Sequence, residues 1–158
     1  MKILIISDTH GRLDLVPYAI YQASPDYIIH CGDICGDERE LREMADRPVI
    51  MVPGNNDWLS RDPRDLVVPF GKHKVFITHG DRYNAHFGTD KISYKAESLG
   101  CDIAVFGHTH VALIDDSGPV LLLNPGSLSF PRRTAFSFIT VDVDENDVWK
   151  PEIKYVTQ

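Results

Sequence analysis

The chain has 158 residues, of which 43% are hydrophobic and 25% are charged, and this composition is typical of a folded protein with one core. Its formal net charge of −7 argues against a general affinity for nucleic-acid backbones, which depends on basic patches. We therefore expect a single domain over residues 1–158, with no membrane span and no groove for an extended nucleic acid.

The N-terminus and the cysteines indicate where the protein works. The first residues lead directly into a short apolar run and do not have the pattern of a secretory signal. The three cysteines, an odd number, are expected to be reduced thiols, and Cys31 and Cys35 lack the Cys-x-x-Cys spacing of a redox or metal pair. We expect a cytoplasmic protein whose cysteines are structural.

The first segment predicts a βαβ unit. Residues 3–6 form a continuous apolar run, typical of a buried strand in a parallel sheet. Helical spacing follows, with Asp14 as the candidate cap and Ser24-Pro25 as the stop. A second strand over residues 27–30 completes the unit.

The alternation of strands and helices then continues. Asp37 and Glu40 have capping-box spacing ahead of a second helix, and a third helix is capped by Thr89 or Asp90 and closed by Gly100. The remaining predictions here are strands over residues 48–52, 67–68, 73–78 and 103–106, and irregular loops over residues 60–64 and 83–88.

The last third of the chain is rich in predicted strands. Residues 111–114 and 120–123 flank a turn-forming segment over 115–119, which is a hairpin pattern, and residues 124–127 form another turn. Strands over 134–141 and 148–155 form a closing antiparallel pair. The whole pattern predicts an α/β (α+β) fold, a four-layer sandwich of two mixed β-sheets flanked by helices.

Polar side chains of the metal-ligand type follow one predicted strand after another. In open α/β sheets, ligands bind beyond the carboxyl ends of the strands. Each side chain alone is explained equally well as a turn residue, but repetition at five strand ends, each beside a glycine or another small turn residue, favours a shared metal site. The candidate ligands are Asp8, His10, Asp33, Asn55, His79, His108 and His110.

The order of these motifs resembles that of the calcineurin-like metallophosphoesterase superfamily, and most of all its small single-domain prokaryotic phosphodiesterases. The turn over 124–127 and Pro131-Arg132 are also similar to the tail of the small members. The motifs are Asp8-x-His10, Gly32-Asp33, Gly54-Asn55-Asn56-Asp57, His79-Gly80 and Gly107-His108-Thr109-His110.

The resemblance implies two divalent metal ions and hydrolysis of small phosphodiesters by a hydroxide that bridges them. Carboxylate, amide and imidazole ligands without thiolate suit Mn²⁺, which we expect, or Ni²⁺, Zn²⁺, Fe²⁺ or Mg²⁺. Such ions lie about 3.5–4 Å apart in two-metal sites. By the resemblance, Asp8, His10 and His110 hold one ion, Asn55, His79 and His108 hold the other, and Asp33 bridges both. His108 and His110 then have to diverge around Thr109, which requires a loop there.

The chain departs from the family pattern at Asn56, where many members have a histidine that protonates the leaving group. An amide cannot act as a general acid at neutral pH, although it can donate a hydrogen bond to a phosphoryl oxygen. We therefore expect a preference for diesters with acidic leaving alcohols, or another proton donor, for which His86 is the candidate. Asp57 is expected to hydrogen-bond a ligand histidine.

Arginines supply the other candidate contacts with substrate. Arg82 and Arg132, with Arg133 beside it, are candidates for bidentate phosphate contact, although an exposed turn explains them equally well. His30 and His73 lie within apolar strand patterns and are interpreted as structural.

Two other functions remain open from the sequence. The first is a non-catalytic protein-interaction scaffold, as in the retromer subunit of similar fold, and the second is a nucleotide-selective esterase or nuclease. Retention of all seven ligand positions argues against the scaffold, because unpaired buried carboxylates are costly without a metal. The net negative charge favours a small diester over a nucleic acid as the substrate. A homo-oligomer is compatible with the sequence.

Overall fold

The computed structural model describes residues 1–36, 38–133 and 135–156, and shows two five-stranded sheets packed face to face. In chain order the elements are β1 (Lys2–Ile6), α1 (Val16–Ala23), β2 (Tyr27–His30), α2 (Glu38–Ala45), β3 (Val49–Met51), β4 (Asp65–Phe70), β5 (His73–Thr78), α3 (Asp90–Ser98), β6 (Ile103–Val105), β7 (Ala112–Asp115), β8 (Leu121–Pro125), β9 (Ser137–Val143) and β10 (Trp149–Tyr155).

Each sheet combines parallel and antiparallel strands. The first sheet has the order β10-β9-β1-β2-β3, in which β1, β2 and β3 are parallel and β9 and β10 are antiparallel to their neighbours. The second has the order β4-β5-β6-β8-β7, with β5, β6 and β8 parallel and the two edge strands antiparallel. The mixed character predicted for both sheets is therefore confirmed.

The helices cover the outer faces of the sheets and complete four layers. Ile3 and Ile5 of β1 face the core between the sheets, whereas Leu4 and Ile6 pack under α1 and α2. On the other side, Phe76 and neighbouring residues of the second sheet pack under α3. Because both faces of β1 are covered, its sequence is continuously apolar rather than alternating. The predicted four-layer sandwich is confirmed.

Several boundaries differ from the sequence predictions. Leu15, not Asp14, occupies the N-cap of α1, where Pro17 in the first turn provides the fixed φ that favours helix initiation. The segment Asn124-Pro125 ends strand β8 instead of forming a turn, because it pairs with Leu113 and Ala112 of β7.

Other predicted segments correspond to the structure with small changes. The loop predicted over residues 83–88 contains the short 3₁₀ turn Ala85–Phe87, and a preceding 3₁₀ turn, Asp81–Tyr83, ends at its first residue. Asp37 of the predicted capping box and Thr134 of the predicted ninth strand lie outside the described residues. Within the described segments, none of the helices is long and apolar enough to cross a membrane.

Candidate metal centre

The candidate metal centre lies where the loops after β1, β2, β3, β5 and β6 meet. The central strands of each sheet are parallel, so their carboxyl ends share one edge. Direct hydrogen bonds join the loops: the Asp8 N–H donates to the Gly32 carbonyl over 3.0 Å, and the Gly107 N–H donates to the His79 carbonyl over 2.9 Å. Six of the seven predicted side chains lie within 4 Å of another member of the set, namely Asp8, His10, Asp33, His79, His108 and His110.

Asp8 is the fully buried centre of the cluster. Its Oδ2 accepts hydrogen bonds from the Ser7 hydroxyl over 2.6 Å and from the His108 N–H over 3.0 Å. Its Oδ1 has no hydrogen-bond partner among the described residues. Three imidazole Nε2 atoms surround that oxygen, at 3.2 Å from His110, 3.7 Å from His10 and 3.8 Å from His79. A buried carboxylate oxygen facing three imidazole nitrogens fits a cation between them.

Asp33 joins the two halves of the cluster. Its Oδ2 lies 3.6 Å from His10 Nε2 and 3.4 Å from His79 Nε2. The same oxygen accepts a hydrogen bond from the Asn56 side-chain amide over 2.8 Å, while Oδ1 accepts one from the Asn56 backbone N–H over 2.9 Å. This position between His10 and His79 is compatible with a bridging carboxylate.

Backbone carbonyls fix the orientation of two histidine rings. His79 Nδ1 faces the Cys31 carbonyl at 2.7 Å, and His110 Nδ1 faces the Phe130 carbonyl at 2.5 Å. Because a carbonyl only accepts, Nδ1 of each ring carries a proton, so that when the ring is neutral its lone pair is on Nε2 and is directed into the cluster. This arrangement is the one that a metal-ligating imidazole requires.

His108 and His110 diverge as the loop prediction requires. Strand β6 ends at Val105, and His108 Nδ1 lies 3.2 Å from His79 Nε2 whereas His110 Nε2 lies 3.3 Å from His10 Nε2. The loop itself is thus confirmed. The two histidines belong to different halves of the cluster, which supports the ligand assignment.

Strained backbone surrounds the site. Five candidate ligands have positive φ angles of 47° to 71°, in the left-handed region that residues other than glycine adopt at a cost of about 1–3 kcal/mol each. No sequence pattern predicts this strain, since the conformation depends on contacts between distant loops. The five are Asp8, His10, Asp33, His108 and His110.

Two glycines allow the loops to approach the carboxylates. A Cβ atom on Gly54 would lie 2.1 Å from Asp33 Oδ1, and one on Gly107 would lie 2.1 Å from Ser7 Oγ and 2.6 Å from Asp8 Oδ2. The glycines beside the predicted ligands are therefore steric requirements of the site.

The cluster strongly perturbs its ionisable groups. Burial by itself raises the pKa of Asp8, but the surrounding imidazoles of His10, His110 and His79 outweigh it and hold the pKa well below its usual range. Burial likewise raises the pKa of Asp33, but its interactions with His79 and Asn56 outweigh burial and lower the pKa to about 2. Burial opposes the charge on His79, yet Asp33 and Asp8 raise its pKa to about 9. Both carboxylates are therefore ionised and available to a cation at neutral pH.

The loop after β3 corrects one prediction. Asp57 does not face a ligand histidine, because its carboxylate accepts hydrogen bonds from the backbone N–H groups of Gly54, Ile34 and Cys35 over 2.8, 3.3 and 2.8 Å. It thus ties the β3 loop to the β2 loop. Asn55 is exposed in the same loop.

The predicted substrate residues lie in different places. His86 stacks against His108 with ring centroids 4.4 Å apart, and Arg132 lies 3.4 Å from His86 Nε2, so both adjoin the cluster. Arg82 instead pairs with Asp65 over 2.6 Å. Its charge is satisfied there, and the structure does not bring it into the cluster.

Sequence reasoning missed the side chains that hold the Gly107–His110 loop. The Asn124 amide donates to the Gly107 carbonyl over 3.1 Å and to the Thr109 hydroxyl over 3.0 Å, and the Ser127 hydroxyl donates to the Asp8 carbonyl over 2.8 Å. The Asn-Pro-Gly-Ser motif was the available signal, although it was interpreted only as a turn.

His30 has the structural position expected of it. It is fully buried, its Nδ1 accepts a hydrogen bond from the Gly32 N–H over 3.1 Å, and its Nε2 lies 3.0 Å from the Thr9 hydroxyl. Burial lowers its pKa to about 4, so the ring is neutral at physiological pH.

Two facing mixed sheets with a carboxylate–imidazole cluster at their strand ends define the class of metal-dependent phosphoesterases. The domain described as the calcineurin-like phosphoesterase superfamily domain matches residues 1–146. The chain therefore belongs to the calcineurin-like phosphoesterase superfamily.

Curated relatives carry corresponding names. A probable metallophosphoesterase of Bacillus subtilis, YsnB, is 35% identical over 149 residues, covering 91% of this chain and 86% of the relative. Phosphodiesterase MJ0936 of Methanocaldococcus jannaschii is 30% identical over 145 residues, covering 80% and 83% of the two chains.

Solved structures show the same fold. A predicted phosphoesterase from Streptococcus pneumoniae superposes with a TM-score of 0.82 at 30% identity, covering 96% of this chain and 87% of that one. Vps29 of Entamoeba histolytica, solved in complex with Zn²⁺, has a TM-score of 0.77 at 21% identity and covers 98% of each chain. The second similarity is one of fold alone.

Proposed function

We propose that this protein is a phosphodiesterase that uses two divalent metal ions to hydrolyse small phosphodiesters. The observation that carries the proposal is the buried Asp8 Oδ1, which has no hydrogen-bond partner within the described chain and faces the Nε2 atoms of three histidines. Such an oxygen is costly unless a cation accompanies it. The names of phosphodiesterase relatives support the diester specificity.

The donor set divides into two groups around Asp33. One comprises Asp8, His10 and His110, and the other comprises His79 and His108, which Asn55 of the β3 loop would complete. Cations held there would supply Lewis acidity and a nucleophile at neutral pH. Mn²⁺ is the ion we propose first, since the ligands are carboxylate, amide and imidazole.

The other residues act on the substrate. The Asn56 amide, which donates to Asp33, has a second N–H available for a phosphoryl oxygen. Arg132 and His86 adjoin His108, where they can bind the negative charge of a phosphate ester. Since Asn56 cannot donate a proton as an acid, His86 is the group that we propose to protonate the leaving alcohol, unless that alcohol is acidic enough to leave unaided.

Metal removal and replacement tests this proposal. The protein is stripped with a chelator and reloaded separately with Mn²⁺, Ni²⁺, Zn²⁺ or Mg²⁺. Hydrolysis is then measured with bis(4-nitrophenyl) phosphate, its monoester and cyclic nucleotides. We expect metal-dependent turnover that is highest for the diester, with two ions bound per chain. Turnover that does not depend on metal would contradict the proposal. No turnover with any substrate would contradict it as well and would favour the protein-interaction scaffold.

A further inference from the structure

A cleft that contains an exposed tryptophan borders the candidate metal centre. The function proposed above assigns no role to this cleft. This cleft, here named the aromatic cleft, has a volume of about 550 Å³, within the usual range for small-molecule sites. Trp58 is 81% exposed and Leu59 is 99% exposed. Among the residues that line the cleft are Ile34, Cys35, Asn56, Trp58, Leu59 and Arg61.

The aromatic cleft begins at the candidate metal centre. Asn56 lines it and donates to Asp33 Oδ2 over 2.8 Å, and Cys35 lines it with its Sγ 3.5 Å from His10 Nδ1. Trp58 is two residues from Asn56, a distance that the backbone spans in about 7 Å at most. When the phosphate of a diester lies at the cluster, one of its ester arms can therefore reach the aromatic cleft.

The loop that carries Trp58 is held in place before any ligand binds. The Asp57 N–H donates to the Gly54 carbonyl over 3.1 Å, and the Ser60 N–H donates to the Asp57 carbonyl over 3.2 Å. The Arg64 guanidinium also donates to the Gly54 carbonyl over 2.8 Å. Because the backbone that carries Trp58 is already ordered, binding a flat ligand against this side chain costs less entropy.

The charges around the aromatic cleft disfavour a negatively charged occupant. Its lining contains three carboxylates and the single guanidinium of Arg61. Of the carboxylates, Glu38 pairs with Arg42 over 2.7 Å and Asp57 accepts backbone hydrogen bonds, and the third is Asp62. A second cleft of about 340 Å³, on the His108 side of the cluster, is lined by His86, Arg132 and Arg133 among others and shares none of these residues. An anionic arm would favour the second cleft, so the arm in the aromatic cleft carries no negative charge.

We infer that the aromatic cleft binds an uncharged aromatic ester arm of the phosphodiester, which stacks on Trp58 while the phosphate lies at the cluster. This inference rests on the proposed function and narrows its substrate class to diesters with at least one aryl or nucleoside arm. A ring stacked on an exposed aromatic side chain gains affinity without requiring specific hydrogen bonds.

The test is a binding comparison that does not depend on turnover. Diphenylphosphinate and dimethylphosphinate mimic the two kinds of diester, and their P–C bonds cannot be hydrolysed. Affinity is measured by calorimetry on the full chain loaded with Mn²⁺. We expect at least about fivefold tighter binding of diphenylphosphinate, the low end of the gain from base stacking. Trp58→Ala should remove this preference, Trp58→Phe should retain most of it, and Tyr21→Ala, which alters an 80% exposed aromatic on α1, should leave it unchanged.

The outcomes separate the two proposals. The aromatic-arm inference is overturned if both phosphinates bind equally well, if neither binds, or if the preference survives Trp58→Ala. In each of these cases, metal-dependent turnover of bis(4-nitrophenyl) phosphate would still support the proposed phosphodiesterase activity. A Trp58-dependent preference without metal-dependent turnover supports the cleft and contradicts the catalytic proposal. If Trp58→Ala abolishes a dimer in sedimentation and no aryl preference exists, the cleft is a contact between copies of the chain, and the inference is overturned.

Discussion

Asn56 holds Asp33 by two hydrogen bonds, from its backbone N–H to Oδ1 over 2.9 Å and from its side-chain amide to Oδ2 over 2.8 Å. The residue that replaces the usual family histidine thus restrains the carboxylate shared by both halves of the site. This arrangement gives Asn56 a positioning role besides any contact with substrate.

Removing the Asn56 amide should therefore weaken metal binding. We expect Asn56→Ala to lower metal affinity about 10-fold or more, the usual cost of losing a group that orients a ligand. The backbone hydrogen bond remains, so the loss is partial. Calorimetric titration with Mn²⁺ measures it, with Asn146→Ala in the exposed β9–β10 turn as the matched control. Unchanged affinity in Asn56→Ala would show that the amide does not orient Asp33.

Loss of the family histidine predicts a steep dependence on the leaving group. With Asn56, turnover of aryl diesters should fall sharply as the pKa of the departing phenol rises, because an unassisted alkoxide is a poor leaving group. Asn56→His should flatten this dependence. His86→Ala should steepen it and alter the pH–rate profile if His86 donates the proton. Identical turnover and pH profile in His86→Ala would exclude His86 as the donor.

Bound metal should stabilise the folded chain through Asp33. A ligand at 100 times its dissociation constant adds about 2.7 kcal/mol to the free energy of unfolding. We expect Mn²⁺ to raise the Tm of the wild type and to raise it far less in Asp33→Asn. Asp142→Asn, which changes an exposed carboxylate on β9, should respond like the wild type. If Mn²⁺ raises the Tm of Asp33→Asn as much as that of Asp142→Asn, Asp33 does not bind the metal.

Gly54 should be intolerant of any side chain. A methyl group there would overlap Asp33 Oδ1 at 2.1 Å, so Gly54→Ala has to displace the carboxylate or the loop. We expect a loss of roughly 1–3 kcal/mol in the free energy of unfolding, as for an overpacked core, and loss of metal-dependent turnover. Gly118→Ala is the control, because a Cβ atom at Gly118 meets nothing within 4 Å of it in the described structure. Urea unfolding and turnover of the two variants provide the comparison.

The His73–Asp102 pair should make stability depend on pH far from the candidate site. Burial opposes the charge on His73, but the Asp102 carboxylate at 2.6 Å and the Asp147 carbonyl at 2.5 Å raise its pKa above the ordinary value of 6.5. A raised pKa in the folded state stabilises the fold fully below pH 6.5, and this contribution is lost as the pH rises through the folded-state pKa.

Urea unfolding of the wild type and His73→Gln across this range measures the effect. The stability difference between them should be largest below pH 6.5 and should shrink in alkaline solution, with both proteins at the same metal content. Asp116→Asn, in the exposed turn after β7, serves as the control. A difference that grows with pH would contradict the sign of the shift.

Short-range patterns in the sequence identified most of the fold and most of the candidate site. The apolar run of β1 and the helical spacing before Ser24 depend on periods of two and 3.6 residues, which local sequence carries directly. The ligand-type residues at strand ends could likewise be found, because parallel strands bring their carboxyl ends together whatever the details of packing. Errors arose where neighbours decided the outcome, as at Asp14, where Leu15 became the cap, and at Asn124, which joined a strand.

Tertiary structure alone decided how those side chains are presented. Asp57 bonds to backbone N–H groups of the β2 loop, 22 and 23 residues away in the chain, and the Asn124 amide holds the histidine loop 15 and 17 residues before it. The left-handed backbone at Asp8 and His110 and the inward Nε2 atoms depend on the same contacts. Periodicity in the sequence specifies which residues reach the sheet edge. Their orientation there depends on hydrogen bonds between loops, which exist only after the two sheets have packed together.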